Sequence, residues 1–167
     1  MMLALGLLMV GVLARFLPHA PNFTPVIAIA LFGSVYLKRS QAILLPLILM
    51  MVTDLFLGLY PSVMLTWAAI FCVSAIGLWV RQNKNVHRSL TGALWSAILF
   101  FIVSNFGCWL TDYPHTWAGF VSCYTLAVPF FRMTLVSTLL YAVLLFGGYE
   151  FLAQRVKATK LAEVLLK

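Results

Sequence analysis

Long apolar segments separated by short polar ones fill almost the whole chain. The apolar runs are continuous rather than alternating, which is typical of membrane helices and not of membrane β-barrel strands. At about 20 residues for each crossing, 167 residues accommodate about six spans. The pattern predicts one all-α integral membrane domain over residues 1–167, a bundle with six transmembrane helices at about 2–17, 24–37, 42–59, 63–80, 89–110 and 130–153.

The first apolar run and residues 119–128 each allow more than one structural interpretation. No basic region precedes the first apolar run, so we interpret it as a membrane span and not as a cleaved signal peptide. Residues 119–128 are predicted to form a short interfacial helix that ends before Pro129, because proline disfavours a continuing helix.

Composition and charge agree with a membrane protein. The chain is 63% hydrophobic and 9% charged, whereas a soluble domain has about 25% charged residues. The net charge of +7 does not indicate nucleic-acid binding, since most Lys and Arg residues cluster at 38–39, 81–88 and 155–167. By the positive-inside rule these clusters face the cytoplasm, and both termini with them. We therefore expect a multi-pass protein of the bacterial cytoplasmic (inner) membrane.

The segment between the first two spans, from Arg15 to Pro25, combines polar residues with three prolines. Prolines lack a backbone N–H and fix φ, so a continuous helix is excluded here. Irregular backbone near membrane depth is tolerated where it is buried in protein or lines a cavity. The segment is therefore predicted to form the wall or lid of a site, with a rigid turn that contacts no ligand as the alternative.

Nearly all polar groups outside the basic clusters are predicted to lie in one outer layer. Asp54 precedes Tyr60 by six residues and Asn105 precedes Thr111 by six, which is a depth of about 9 Å at ~1.5 Å per residue. Such convergence favours an outward-facing cavity between helices. The predicted substrate-binding residues are Arg15, His19, Asn22, Asp54, Tyr60, Cys72, Asn105, Asp112, Tyr113, His115, Trp117 and Arg132.

Several of these residues also have a purely structural interpretation. A lone charge in hydrocarbon costs at least ~2.5 kcal/mol, so Arg15 is expected to pair with Asp54, and Arg132 with Asp112. Asn105 is suited to a hydrogen bond between helices. The aromatic residues of the outer layer are suited to an interfacial belt; they are Trp109, Tyr113, Trp117 and Tyr124.

The three cysteines, Cys72, Cys108 and Cys123, lie in or beside apolar segments without a CxxC motif. A disulfide framework and a structural zinc site are therefore not expected. Membrane cysteines usually pack as small apolar residues. The alternative is a thiolate that ligates a soft metal, such as the cobalt of a corrinoid. Cys72, near the floor of the predicted cavity, is the first candidate and Cys108 the second.

These features carry a resemblance to a known family. Six short spans, a short second span, basic loops at 38–39 and 81–88, and the Arg-x-x-Pro…Asn-Phe-Thr-Pro pattern at 15–25 resemble the substrate-binding S components of energy-coupling-factor vitamin transporters. Within that group the chain is most similar to small bacterial S-component-like proteins linked to cobalamin uptake.

The resemblance implies a six-helix fold that captures a vitamin from outside and works with a transmembrane scaffold subunit and two ATPases. Cobalamin would be the transported ligand, and the chain would need no cofactor of its own. Many family members carry an Ala-x-x-x-Ala docking face on span one, whereas here Leu8 follows Ala4 and Arg15 follows Gly11 at that spacing. A solitary subunit, or a contact through Gly6 and Gly11, is the alternative.

Other functions are distinguished by what the sequence contains. A stand-alone proton- or ion-coupled carrier would use Asp54 as its titrating group. An intramembrane enzyme is disfavoured, since neither Gly-x-Ser-x-Gly nor His-Glu-x-x-His occurs and no catalytic residue is predicted. Binding of another small vitamin, such as thiamine or riboflavin, stays open.

Overall fold

The structure is a computed structural model that describes residues 2–18, 20–157 and 164–165. This part of the chain contains helices and loops and no strand, so the predicted all-α class is confirmed. The helices are α1 (Met2–Ala14), α2 (Val26–Tyr36), α3 (Arg39–Ala42), α4 (Leu44–Leu57), α5 (Val63–Arg81), α6 (Val86–Asp112), α7 (Trp117–Ala142) and α8 (Gly148–Lys157), with a π-helical turn (Val143–Gly147) joining α7 to α8.

Three helices are long and apolar enough to cross a membrane. They are α5 with 19 residues, α6 with 27, and the continuous helix formed by α7, the π turn and α8 with 41. The apolar helices α1, α2 and α4 have 13, 11 and 14 residues, fewer than the ~20 that one perpendicular crossing requires. The lengths thus indicate a membrane protein, while six spans and cytoplasmic termini stay predictions.

Helix α2 lies at the centre of the bundle. Every residue from Val26 to Val35 is buried, and α2 packs against α1, α4, α5, α6 and α7. The helix follows directly on Pro25 and ends where the Leu37 N–H donates to the Gly33 carbonyl at 2.9 Å. Because α2 is apolar on every side, burial against neighbouring helices is the arrangement expected of it.

The hydrogen bonds of α2 and its flanking residues define the two ends of the bundle. At one end Tyr36 donates to Glu150 at 2.7 Å, and Arg81 donates to the Leu37 carbonyl at 2.6 Å. We call this the Lys84 end, after the loop that joins α5 to α6. At the opposite end, the Tyr60 end, Ser137 donates to the Asn22 carbonyl at 3.4 Å.

Two helices differ in extent from the segments predicted for them. Helix α7 runs from Trp117 through Pro129, so 119–128 is not a separate interfacial helix. In apolar surroundings, the one hydrogen bond lost at a proline costs less than the several unpaired groups of a helix end. Helix α6 begins at Val86 and not near 89, because the Asn85 side chain accepts the Arg88 N–H at 2.7 Å and caps the helix.

The packing of α5 on α2 gives a test of this fold. A Cβ atom at Gly77 would lie 2.4 Å from the Ser34 Cβ and 3.0 Å from the Leu31 carbonyl oxygen. We expect Gly77→Ala to cost about 1–3 kcal/mol of stability through overpacking, measured as a lower Tm in detergent. Gly6→Ala is the control, since a Cβ there meets nothing within 4 Å. Equal Tm values for the two variants would contradict the close approach.

Candidate functional site

A cavity of about 380 Å³ lies between α5, α6 and α7 at the Tyr60 end. Its volume falls in the range of roughly 300–1,000 Å³ that is usual for small-molecule sites. We call it the Tyr60 cavity. It is lined by Asn22, Tyr60, Ser62, Thr66, Phe100, Phe101, Ser104, Asn105, Cys108, Ala127, Phe130, Phe131 and Thr134.

Most of the lining comes from one stripe on each of two helices. Residues three and four positions apart lie on the same face of a helix. On α6 the stripe is Phe100, Phe101, Ser104, Asn105 and Cys108, and on α7 it is Ala127, Phe130, Phe131 and Thr134. Two helical stripes that face each other therefore form the cavity walls, and the 15–25 segment contributes Asn22.

The polar side chains on these stripes already donate hydrogen bonds to their own helices. Ser104 donates to the Phe100 carbonyl at 2.7 Å, Thr134 to the Phe130 carbonyl at 3.1 Å, and the Asn105 amide to the Phe101 carbonyl at 2.7 Å. A hydroxyl has one donor hydrogen but two acceptor lone pairs. These groups consequently offer mainly acceptors to a ligand.

The cavity wall carries no formal charge at any described residue. Four phenylalanine rings and Tyr60 supply aromatic surface, whose faces attract planar rings and cations. Burial raises the pKa of the Tyr60 phenol, so this side chain stays neutral at physiological pH. The wall therefore suits a neutral or cationic planar molecule that donates hydrogen bonds.

Arg15 and Asp54 form the expected ion pair and do not line the cavity. The Asp54 side chain is 1% exposed and that of Arg15 is 11% exposed. Arg15 donates to Asp54 Oδ1 and to Thr53 Oγ1, while Trp67 Nε1 donates to Asp54 Oδ2 at 2.7 Å. This cluster joins the C-terminal ends of α1 and α4 to α5, where Thr66, the neighbour of Trp67, lines the cavity. The cluster thus connects α1 and α4 to the helix that contributes Thr66 to the cavity wall.

The predicted site residues between α6 and α7 lie away from the cavity. The turn folds back on α6: His115 Nε2 is 2.9 Å from the Leu110 carbonyl, and Trp109 donates to the Pro114 carbonyl at 3.1 Å. The turn candidates are Asp112, Tyr113, His115 and Trp117, and none of them lines the Tyr60 cavity. The prediction for His19 lies outside the described residues.

Arg132 was expected near the outer end of a span, paired with Asp112. It lies fifteen residues after Trp117 on the continuous α7, about 22 Å along the axis from the turn that follows Asp112. Both side chains are exposed, and the described residues contain no ion pair between them. The difference follows from the uninterrupted helix through Pro129.

The cysteines are three free thiols in different surroundings. Cys108 lines the Tyr60 cavity, with its Sγ 3.7 Å from Ser62 Oγ. Cys72 is half-buried on α5 and lies outside the cavity lining, while the buried Cys123 donates to the Asn105 carbonyl at 3.4 Å. Among the described residues no group of three or more His, Cys, Asp or Glu could hold a metal ion. Cys108 is therefore the cysteine that borders the Tyr60 cavity, while metal ligation by either thiol stays a prediction.

Sequence reasoning missed much of the cavity wall, including four polar residues that line it: Ser62, Thr66, Ser104 and Thr134. The sequence contained a signal for this wall. Between residues 100 and 108, two aromatic residues are followed at three- and four-residue spacing by polar residues and a cysteine, so all of them share one helix face. Average hydropathy conceals this stripe, since phenylalanine and cysteine count as apolar. Reading α6 as a helical face with one polar stripe would have found it.

A second cavity of about 350 Å³ lies at the Lys84 end. We call it the Lys84 cavity; its lining includes Tyr36, Lys84 and Glu150 together with residues of α6 and the π turn. The Lys84 ammonium lies 4.8 Å from the centroid of the Tyr36 ring. Partial burial lowers the pKa of Lys84. Helices α6 and α7 thus contribute to cavities at both ends of the bundle.

Two buried hydroxyl groups lie on α6 and α7 between the two cavities. Ser96 and Thr138 are 0% exposed, and neither side-chain oxygen has a hydrogen-bond partner among the described residues. Thr138 lies one turn after Thr134, which lines the Tyr60 cavity, and one turn before Ala142, which lines the Lys84 cavity. We call the two hydroxyl residues the hydroxyl pair.

A comparison with known protein families matches almost the whole chain. The model of DUF6580, a family of unknown function, covers residues 1–161. The chain belongs to the DUF6580 family. No curated protein and no solved structure matches it. Function must therefore be argued from the cavities of this family member.

The buried ion pair gives a prediction about stability. Asp54→Asn leaves Arg15 without its counter-charge, and removing one partner of a buried pair costs about 3–5 kcal/mol. We expect a large drop in Tm or loss of folded protein after detergent extraction. Asp112→Asn, an exposed acid in the turn, is the matched control and should change stability by less than ~0.5 kcal/mol. A comparable loss in both variants would argue against the bracing role of Asp54.

Proposed function

We propose that this chain is a bacterial inner-membrane protein that binds a small planar vitamin in the Tyr60 cavity and mediates its uptake. The observation that carries the proposal is the uncharged aromatic wall, which offers hydrogen-bond acceptors at one end of an apolar helical bundle. Such a wall suits a heteroaromatic molecule with N–H or O–H groups better than a phosphate or a carboxylate, which would need cationic partners.

The size of the cavity bears on which vitamin is bound. Its 380 Å³ is near the lower end of the range for small-molecule sites. A corrinoid is larger than this volume, so cobalamin would insert one edge only, with Cys108 as the available cobalt ligand. A molecule of the size of thiamine or riboflavin fits the proposal more simply.

The S-component form of the proposal adds a scaffold subunit and two ATPases. The exposed face of α1 limits where a scaffold could dock. Ala4 and Leu8 are buried inside the bundle and cannot contact a scaffold helix. Gly11 is also buried, whereas a Cβ at Gly6 would meet nothing within 4 Å. A scaffold helix would therefore contact the face of α1 that contains Gly6, Met9 and Leu13.

A stand-alone carrier is the second candidate, and the Lys84 cavity is the observation that favours it. Cavities at both ends of α6 and α7, with the hydroxyl pair between them, provide the parts of a route through the bundle. Both carboxylate oxygens of Asp54 are engaged by Arg15 and Trp67, so neither is left open to a transported ion.

Ligand binding is the direct test. Titration of the purified protein with a panel of small vitamins should identify one that raises its Tm. We expect Thr134→Val to weaken binding of that vitamin about fivefold, because a hydrogen bond is worth roughly 1 kcal/mol. Thr125→Val, an exposed site on the same helix outside the cavity, should leave the Kd unchanged. A panel without any ligand, or equal effects of the two substitutions, would refute the proposal.

The hydroxyl pair distinguishes the two forms of transport. Thr138→Val removes a buried hydroxyl without a partner, so we expect unchanged or higher stability. Ser137→Ala, the neighbouring control, should lower stability because Ser137 donates to the Thr134 carbonyl at 3.0 Å.

The uptake assay then decides between the routes. If the vitamin passes between the cavities, Thr138→Val should slow uptake into proteoliposomes without changing the Kd. No uptake by the chain alone, together with uptake that Thr138→Val leaves unchanged once a scaffold and its ATPases are added, would favour the S-component form, in which the whole subunit moves against a scaffold.

A further inference from the structure

A large apolar groove follows the outer surface of the bundle where α5 and α6 meet. It has a volume of about 650 Å³, and its lining includes Ile76, Trp79, Trp95, Ile98 and Ile102. Every residue that lines it is apolar or aromatic, so an acyl chain would contact an almost entirely apolar surface there.

A second hollow lies beside the groove at the Lys84 end. It has a volume of about 800 Å³ and is lined by Trp79, Asn85, Val86, His87, Arg88 and Thr91. Trp79 lines both spaces, so the apolar groove and the polar hollow are adjacent. An elongated molecule with an apolar tail and a polar head matches this change of character along the surface.

Arg88 determines the charge of the polar hollow. Its guanidinium carbon lies 4.2 Å from the centroid of the Trp79 ring, a geometry that holds the cation in place. Nη2 donates a long hydrogen bond of 3.4 Å to Gln82 Oε1, and the buried Nε has no partner among the described residues. The described chain places no carboxylate in ion-pair contact with Arg88. The guanidinium therefore brings a positive charge without a carboxylate partner to the lining of the hollow.

We propose that the groove and the hollow together form a binding site for an anionic phospholipid. One acyl chain occupies the groove, the phosphate accepts hydrogen bonds from Arg88, and Trp79 contacts the boundary between tail and headgroup. The charge of Arg88 favours an anionic headgroup over a zwitterionic one, and basic pockets at membrane helices bind such headgroups in general. The aromatic ring at the junction agrees with the preference of tryptophan for the membrane interface.

A second basic residue at the same end provides a matched comparison. The Arg155 guanidinium lies 5.4 Å from the Phe151 ring centroid, so it resembles Arg88 in being an arginine over an aromatic face. Arg155 lines neither the groove nor the polar hollow. Comparison of the two arginines separates a built site from general attraction between basic residues and acidic lipid.

The experiment is native mass spectrometry of the delipidated full chain in neutral detergent. Phosphatidylglycerol and phosphatidylcholine of identical acyl chains are titrated separately. We expect one saturable phosphatidylglycerol with a preference over phosphatidylcholine. Arg88→Gln should weaken its binding about fivefold, and Arg155→Gln should leave the affinity unchanged. Trp79→Ala should weaken both lipids, because it removes the contact at the tail–headgroup junction.

Four outcomes would overturn the proposal. They are equal binding of the two lipids, equal losses in the two arginine variants, displacement of bound lipid by millimolar inorganic phosphate, and a lipid-free dimer lost on Trp79→Ala. The last would show that a second copy of the chain occupies the groove. A circular dichroism melt of each variant controls for folding, and an unfolded Trp79→Ala leaves the arginine comparison as the deciding test.

Discussion

The structure depends on the complete burial of α2. This helix is too short to cross a bilayer by itself, and every residue from Val26 to Val35 is shielded by other helices. The prolines of the 15–25 segment exclude a longer helix before α2, so the chain passes directly from an irregular segment into the buried helix. Gly77 lets α5 approach the α2 backbone closely. With the centre occupied by α2, the two cavities lie near its two ends, one lined by Asn22 and the other by Tyr36.

Charge placement follows from the same arrangement. The buried charges of Arg15 and Asp54 satisfy each other within a hydrogen-bonded cluster, and the cavity wall beside them is uncharged. Because the ion pair lies outside the cavity wall, the hydrogen-bond acceptors of Ser104, Asn105 and Thr134 are the main polar features of the cavity. A wall of this kind selects a ligand by shape and by hydrogen-bond direction more than by net charge.

The sequence allowed the helical class, the short second helix and a polar convergence at one end to be predicted, because each depends on local composition. It also pointed to Asn22, Tyr60 and Asn105, which do line the cavity. Arg132 was expected near the end of a span because Pro129 was expected to end the preceding helix, whereas α7 continues through Pro129. The 112–117 residues were expected in an outer loop; they lie at a turn that folds back on α6 and do not line the cavity. The orientation of Cys72 and Cys108 could not be predicted, since the rotation of a helix about its axis depends on its neighbours.

The helix from Trp117 to Lys157 has a mechanical consequence. Its 41 residues extend about 60 Å at 1.5 Å per residue, roughly twice the hydrocarbon thickness of a typical bilayer. A rod of that length must tilt steeply or project from the membrane, and a tilted helix responds to bilayer thickness. Because this rod carries walls of both cavities, a thicker or thinner bilayer would rotate the two walls together. A change in membrane thickness that alters the tilt of this helix would therefore alter the shape of both cavities.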